Sequence, residues 1–203
     1  MTRHSWTLPI AFALGLSLCS APLLAASDSD RSDCKSEDEG ARERTILACG
    51  RLASDKKISA KERAVALNNR GNAYQGKSEF SRAIADYTAG LRLDPTIALV
   101  YVNRAFAYKD TGEYDRALAD ANRSIELDPN NAVLFRARGD IYKARGHKAK
   151  GDLDSAIANY NEAIHLNPQD PLSYRNRGLV FETKGDSAHA TDDYNKALEL
   201  RAK

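Results

Sequence analysis

Apolar and small residues return along this chain at helical spacing. Leu67, Gly71 and Tyr74 are offset by four and seven places, and the same offsets join Tyr101, Ala105 and Tyr108, then Phe135, Gly139 and Tyr142, then Tyr174, Gly178 and Phe181. Each trio falls on one face of an amphipathic helix. A second stripe follows, through Ala83, Tyr87 and Gly90 in one instance and Ala156, Tyr160 and Ala163 in another. The pattern predicts paired helices that meet at a small residue, with aromatic rings filling the space around the contact. Gly112 and Gly185 mark turns within pairs, and Asp94-Pro95, Asp128-Pro129 and Asn167-Pro168 close them. The residue before a proline is pushed out of helical geometry, so the second helix stops there.

The pairs are periodic. Gly71, Ala105, Gly139 and Gly178 lie 34, 34 and 39 residues apart, and Ala83, Ala117, Ala156 and Ala190 lie 34, 39 and 34 apart. The extra five residues therefore fall between Tyr142 and Ala156, at His147 to Gly151, and lengthen the third hairpin's turn or its first helix. One hairpin cannot bury both faces, but stacked hairpins can. The predicted units are 64–97, 98–131, 132–170 and 171–203.

At this point the chain resembles a tetratricopeptide-repeat protein, of an exported bacterial type. That pattern is met by Leu67, Gly71, Tyr74, Ala83, Tyr87, Gly90 and Pro95, and again by Tyr174, Gly178, Phe181, Ala190, Tyr194 and Ala197. Ala121 and Ser124 depart from it, in place of an aromatic and an alanine. The resemblance implies an all-α, right-handed α-solenoid of four helical hairpins, with residues 41–63 supplying an N-terminal capping helix. It also implies a concave groove, lined by the first helices, for an extended peptide or a partner helix. The groove stripe is offset from the packing stripe. It would include Asn68, Asn72 and Gln75, then Val102, Asn103, Phe106 and Lys109, then Arg136, Asp140 and Lys143, then Arg175 and Leu179. Amides lie at one end, Arg136, Lys143 and Arg175 at the other, and Phe106 stands between as an apolar anchor. Such a lining suits a ligand with an acidic or carboxylate end, and the competing reading is a face of merely solvated polar residues. The clamp by which some cytosolic relatives grip a chain-terminal carboxylate is matched only by Asn72 and Asn103, since Asn68, Val133 and Ala137 hold its other places.

One departure recurs in every unit. Where the family usually has leucine before the small residue, this chain has Arg70, Arg104, Arg138 and Arg177; sixteen residues on come Asp86, Asp120, Asn159 after an insertion of five, and Asp193. Recurrent Arg and Asp on partner helices predict an ion-pair ladder between hairpins, with ligand contact by the arginines as the other reading.

The N-terminal region follows other rules. Arg3 and His4, the uncharged run Leu8 to Leu18, and small residues up to Ala26 have the order of a secretory signal peptide over 1–26, cleaved after Ala26. An uncleaved anchor and a lipid anchor on Cys19 are the alternatives; Pro9 and Pro22 break the first, and Leu18 is a poor neighbour for the second. Residues 27–40 hold Asp28, Asp30, Asp33, Glu37, Asp38 and Glu39 against Arg31 and Lys35, which reads as an acidic flexible leader. In an oxidising compartment Cys34 and Cys49 form an even pair, and a disulfide between them would tether the leader to the capping helix.

Composition narrows function further. Across 203 residues the formal net charge is +2, too balanced for a protein built to neutralise phosphates, so no nucleic-acid partner is expected. His147, His165 and His189 lack the i, i+4 partner of a helical zinc site, and no glycine-rich phosphate loop is present, so neither metal, cofactor nor catalytic residue is expected. The expectation is a non-enzymatic protein-interaction module or assembly scaffold, exported to the periplasm or secreted, with a protein or peptide partner and no membrane insertion after signal cleavage. The alternatives are a homo-oligomer that stacks through its terminal repeat and a non-catalytic subunit of an envelope complex.

Overall fold

The computed structural model describes residues 26–36, 38–146 and 150–202. The signal-peptide reading, Cys19 included, falls outside the described residues apart from Ala26, as do positions 147–149 of the insertion. The described residues form helices α1 (Asp28–Cys34), α2 (Arg42–Ser54), α3 (Ala60–Gly76), α4 (Phe80–Leu93), α5 (Ala98–Asp110), α6 (Tyr114–Leu127), α7 (Ala132–Gly146), α8 (Lys150–Leu166), α9 (Pro171–Thr183) and α10 (Ser187–Arg201), with a short 3-10 turn at Glu39–Ala41. Among the described residues there is no strand, and no helix is long and apolar enough to cross a membrane.

Local chemistry sets the helix ends. Ser59 and Glu62 cap α3 reciprocally, and Asp170 accepts from the Leu172 amide at the start of α9, where Pro171 takes a first-turn place that lacks a donor anyway. Gly112 and Gly185 turn between helices with φ near +80°, which a side chain disfavours; Ser78 holds the matching place in the first hairpin at φ 60°.

Successive helices pack as antiparallel pairs, α3 on α4, α5 on α6, α7 on α8 and α9 on α10, and each pair stacks on the next through its second helix. The tightest approach in a pair is set by a missing side chain. A Cβ on Gly71 would lie 2.5 Å from the Tyr87 ring, one on Gly139 2.7 Å from Tyr160, and one on Gly178 2.9 Å from Tyr194. In the second hairpin both sizes change together: Ala105 replaces the glycine and Ala121 the tyrosine, and both are fully buried. The methyl gained at Ala105 does not replace the ring lost at Ala121; both alanines pack instead in a cluster with Tyr108, Leu118 and Ile141.

The arginine ladder forms, and its geometry corrects the expectation that the acid pairs run between hairpins. Each acid pair lies inside a hairpin: Arg70 to Asp86 at 2.7 and 2.7 Å, Arg104 to Asp120 at 2.7 and 2.8 Å, Arg177 to Asp193 at 2.9 and 2.7 Å. A third guanidinium nitrogen reaches back to the preceding hairpin, from Arg104 to Thr88 at 3.0 Å, Arg138 to Asn122 at 2.8 Å and Arg177 to Asn161 at 2.6 Å. In the third hairpin Arg138 meets Asn159 at 2.7 Å, and burial without a facing carboxylate pulls that guanidinium's pKa down. The same hairpin gains another pair near the insertion, Arg145 to Asp152 at 2.8 Å through both nitrogens. There α7 and α8 run longer than α5 and α6, so the extra residues extend both helices.

The N-terminal region departs most from expectation. Instead of a flexible leader, residues 28–34 form α1, capped by Ser27 and Asp30 and joined to α2 by the Cys34–Cys49 disulfide. Asp30 is only 4% exposed and accepts from Arg51, Nε at 2.8 Å. The acidic residues expected to remain solvated include one that is the inward half of an ion pair. Helices α1 and α2 therefore make an irregular hairpin ahead of the four repeats, and α2 alone is not the cap.

Two outcomes follow. Asp120→Ala should destabilise the chain by about 2 kcal/mol in urea unfolding, because half-buried Arg104 loses both carboxylate bonds and keeps only Thr88. Arg104→Leu with Asp120→Ala should lose much less, and a single variant as stable as wild type would contradict the ladder. The Asp30 carboxyl is lowered from 3.8 to about 2, chiefly by the hydrogen bond from Arg51. Its contribution is complete above pH about 4 and disappears as pH falls toward about 2, since the unfolded chain takes up the proton first. With Cys34 and Cys49 both replaced by serine, about 3 kcal/mol of loop constraint is removed. Amide protection of α1 should then fall across that acid range while α5 and α6 keep theirs, and acid-insensitive α1 protection would refute the role of Asp30.

Candidate functional site: the inner face of the helical stack

The first helix of each hairpin, α1, α3, α5, α7 and α9, contacts its like neighbour, so the five line one side of the stack. Their offset stripe forms the inner face.

Its side chains are tied laterally. Asn103 donates to Asn68 Oδ1 at 2.9 Å, Asn68 to Asn69 Oδ1 at 3.3 Å, and Asn69 to the carbonyl of Cys34 at 3.1 Å. This relay of amides crosses α5, α3 and the end of α1 in one direction. Tyr87 passes over Gly71 from behind, and its hydroxyl lies 2.7 Å from Asn72 Oδ1 and 3.0 Å from Gln75 Oε1. A tyrosine proton on Asn72 Oδ1 leaves the amide nitrogen of Asn72 as the outward donor. Gln75 Nε2 reaches Asp110 at 3.3 Å.

The third hairpin repeats the device with different chemistry. Tyr160 donates to Asp140 at 2.7 Å, Asn176 donates to the same carboxylate oxygen at 2.8 Å, and Lys143 stands 3.5 Å away. Burial first, then the Asp140 charge, pushes the Tyr160 hydroxyl far above the ordinary tyrosine range; burial does the same at Tyr87. Both phenols are therefore fixed donors. In the second hairpin no tyrosine arrives, because Ala121 is there, and the place matching Asn72 and Asp140 is apolar: Phe106, half-buried, with the Lys109 ammonium 5.5 Å from its ring centre.

Several expected lining residues change meaning. Val102 is 3% exposed and packs with Leu134 and Ala137 in the crevice between α5 and α7, so it is core and not groove. The basic end is largely compensated: Arg136 Nε lies 3.0 Å from Asp170, the acid that caps α9, and Lys143 faces Asp140. Lys109 pairs with Asp110 at 2.9 Å. Arg175 is exposed and Leu179 half-exposed.

One turn earlier, the same inner helices carry an apolar row beside the stripe. Three residues before Asn68, Val102, Arg136 and Arg175 stand Val65, Leu99, Val133 and Leu172, all exposed. The same i, i+3 step that links the other members would have reached them. Nor did the sequence expose the role of α1, which adds a wall at the head of the face. Between its end, α2 and α3 lies a cavity of about 510 Å³ lined by Lys35, Ser36, Asp38, Arg42, Thr45 and Asn72 among others. Gly76 makes room there, since a Cβ on it would sit 2.8 Å from Arg42 Nε. Among the described residues no group of three or more His, Cys, Asp or Glu could hold a metal ion.

Comparison with known proteins agrees with this architecture. The family described as "Tetratricopeptide repeat" matches residues 64–97 and 98–131, and again 173–203, while "TPR repeat" matches 147–185. The first two spans coincide with the units read from the 34-residue period. A search of curated proteins finds no match. Among solved structures, a crystal structure of MamA is similar at 24% identity over 86% of this chain and 94% of that one, with a TM-score of 0.66. Residues 41 to the end of MamA from Desulfovibrio magneticus RS-1 are similar at 18% identity, over 88% and 98%, with a TM-score of 0.68. YrrB, described as a TPR protein with an unusual peptide-binding site, is similar at 17% identity, over 81% and 80%, with a TM-score of 0.58. At these identities the likeness is one of fold. From its periodic contacts and from the repeats matched along it, the chain belongs to the tetratricopeptide-repeat family.

Proposed function

We propose that this protein is a non-catalytic interaction module that holds a segment of a protein partner on its inner face, after export to an oxidising compartment. The observation that carries the reading is the continuous inner wall. The amide relay ties α1, α3 and α5, Val102 packs on Leu134 and Ala137 of α7, Asn176 ties α9 to Asp140, and tyrosine hydroxyls hold Asn72, Gln75 and Asp140 from behind, so donors and acceptors are oriented before a ligand arrives. Phe106 gives that polar wall an apolar centre. The description of YrrB as peptide-binding is consistent with such use. The Cys34–Cys49 disulfide and the charged, apolar, small-residue order of the first 26 residues support export to the periplasm or beyond.

A preference for acidic or carboxylate ends rests on fewer groups than the sequence offered. Arg136, Lys143 and, at the other end, Arg42 already face carboxylates, which leaves exposed Arg175 at one end and Lys35 at the other.

Peptides enriched from a random library on the full oxidised chain provide the test. Their affinity should drop at least tenfold with Phe106→Glu and fall again with Arg175→Glu, whereas Arg123→Glu, on the outer helix α6, should leave it unchanged. Enriched peptides that ignore Phe106 and respond to Arg123 would place binding on the outer face and refute this reading.

A further inference from the structure

Among the described residues, six large hydrophobic side chains stand well exposed, and four of them occupy one register position. Val65, Leu99, Val133 and Leu172 are each the second residue of a repeat, 40%, 55%, 47% and 45% exposed. Scattered surface leucines need no explanation, but one apolar residue per repeat at a single place makes a row. It runs through the second turn of α3 and the first turns of α5, α7 and α9, beside the polar stripe and not within it.

The row opens at one end into a second cavity. Val65 forms part of its wall with Leu52, Ile58 and Ala66, and the volume is about 290 Å³. The lining is apolar below and charged above. At the rim, Glu62 is engaged by the Ser59 amide and hydroxyl at 3.1 and 3.0 Å, and Arg31 shares Asp28 at 3.3 Å. The rim cations left to face an arriving group are Lys35 and Lys61.

We propose that this row and cavity dock one amphipathic α-helix of a protein partner, with a large apolar side chain in the cavity and acidic residues against Lys35 and Lys61. The inference rests on the inner-face reading above and names its occupant. Spacing selects a helix. Packed neighbouring helices lie about 8–10 Å apart, so the row offers one apolar contact per such step. A helix rising 1.5 Å per residue returns the same face after seven residues, about 10.5 Å on. Same-face residues of a strand recur at roughly 6.7 Å and lose register after one repeat. The charge of the rim sets the direction, acidic end toward α1.

The test uses a labelled synthetic helix with leucine on one stripe at heptad spacing and glutamates at one end, titrated by fluorescence anisotropy into the full oxidised chain. Saturable binding is expected, weakened at least tenfold by Leu99→Glu or Val133→Glu, both exposed positions whose variants should keep the wild-type helicity and melting temperature. Lys35→Glu with Lys61→Glu should weaken it likewise and restore affinity for the peptide bearing lysines in place of glutamates. Absence of saturable binding to the wild-type chain, or equal binding by the row variants, would overturn the proposal. So would a concentration-dependent rise in mass, by sedimentation, that Leu99→Glu abolishes, because a second copy would then cover the row. If library peptides remain sensitive to Phe106→Glu while the helix ignores Leu99→Glu, the inner-face reading stands and this one falls.

Discussion

Every hairpin of the stack is organised around a guanidinium that cannot leave. In each of the four repeats an arginine on the inner helix is held by the outer one, by two carboxylate oxygens in the first, second and fourth and by one amide oxygen in the third, and from the second repeat on by one oxygen of the repeat before it. Two geometries are thereby fixed at once, the crossing of helices within a unit and the step between units. A buried charge of this kind adds little net stability, because the Coulombic gain is set against desolvation. Its effect is on which arrangement is allowed: a slip of register would strand a cation in an apolar interface, a state far above the native one. The glycine under each tyrosine ring then allows the close approach that the guanidinium pairing requires.

That double contact explains why so much of the fold was legible in the chain. Small, aromatic and proline positions repeat because each unit solves the same packing problem, and the Arg and Asp sixteen residues apart repeat for the same reason. The second hairpin departs at Ala121, where Ala105, Leu118 and Ile141 cluster around the small residue in place of a ring. The α1 unit was not legible, since it obeys none of these rules. Three of its seven residues are acidic and it lacks an apolar stripe, and it is held by a covalent bond and by a pair of reversed polarity, with Asp30 on the inner helix and Arg51 on the outer one. Composition registers such a segment as solvated because composition does not see pairing.

The inner face was legible in outline and misleading in detail. Helical periodicity puts Asn68, Asn72 and Gln75 on one side, and they are there. Periodicity carries no information about how closely neighbouring inner helices approach, and that distance decides that Val102 is buried. Likewise, counting basic residues finds Arg136 and Lys143, whereas their partners Asp170 and Asp140 become neighbours only in the folded stack. The polar surface is closer to neutral than its cations imply, and its character comes from amides and phenols in fixed orientation.

The disulfide also bears on the order in which the chain assembles. Contacts here are local, each helix meeting its sequence neighbours, so folding can start in any hairpin and spread. The slow event is the first one, when a loop must close before any packing compensates its lost entropy. In the oxidised chain the loop from Cys34 to Cys49 is closed beforehand, and that cost is removed from one unit alone. The covalent bond thus offsets, at the head of the stack, the apolar stripe that the irregular hairpin lacks.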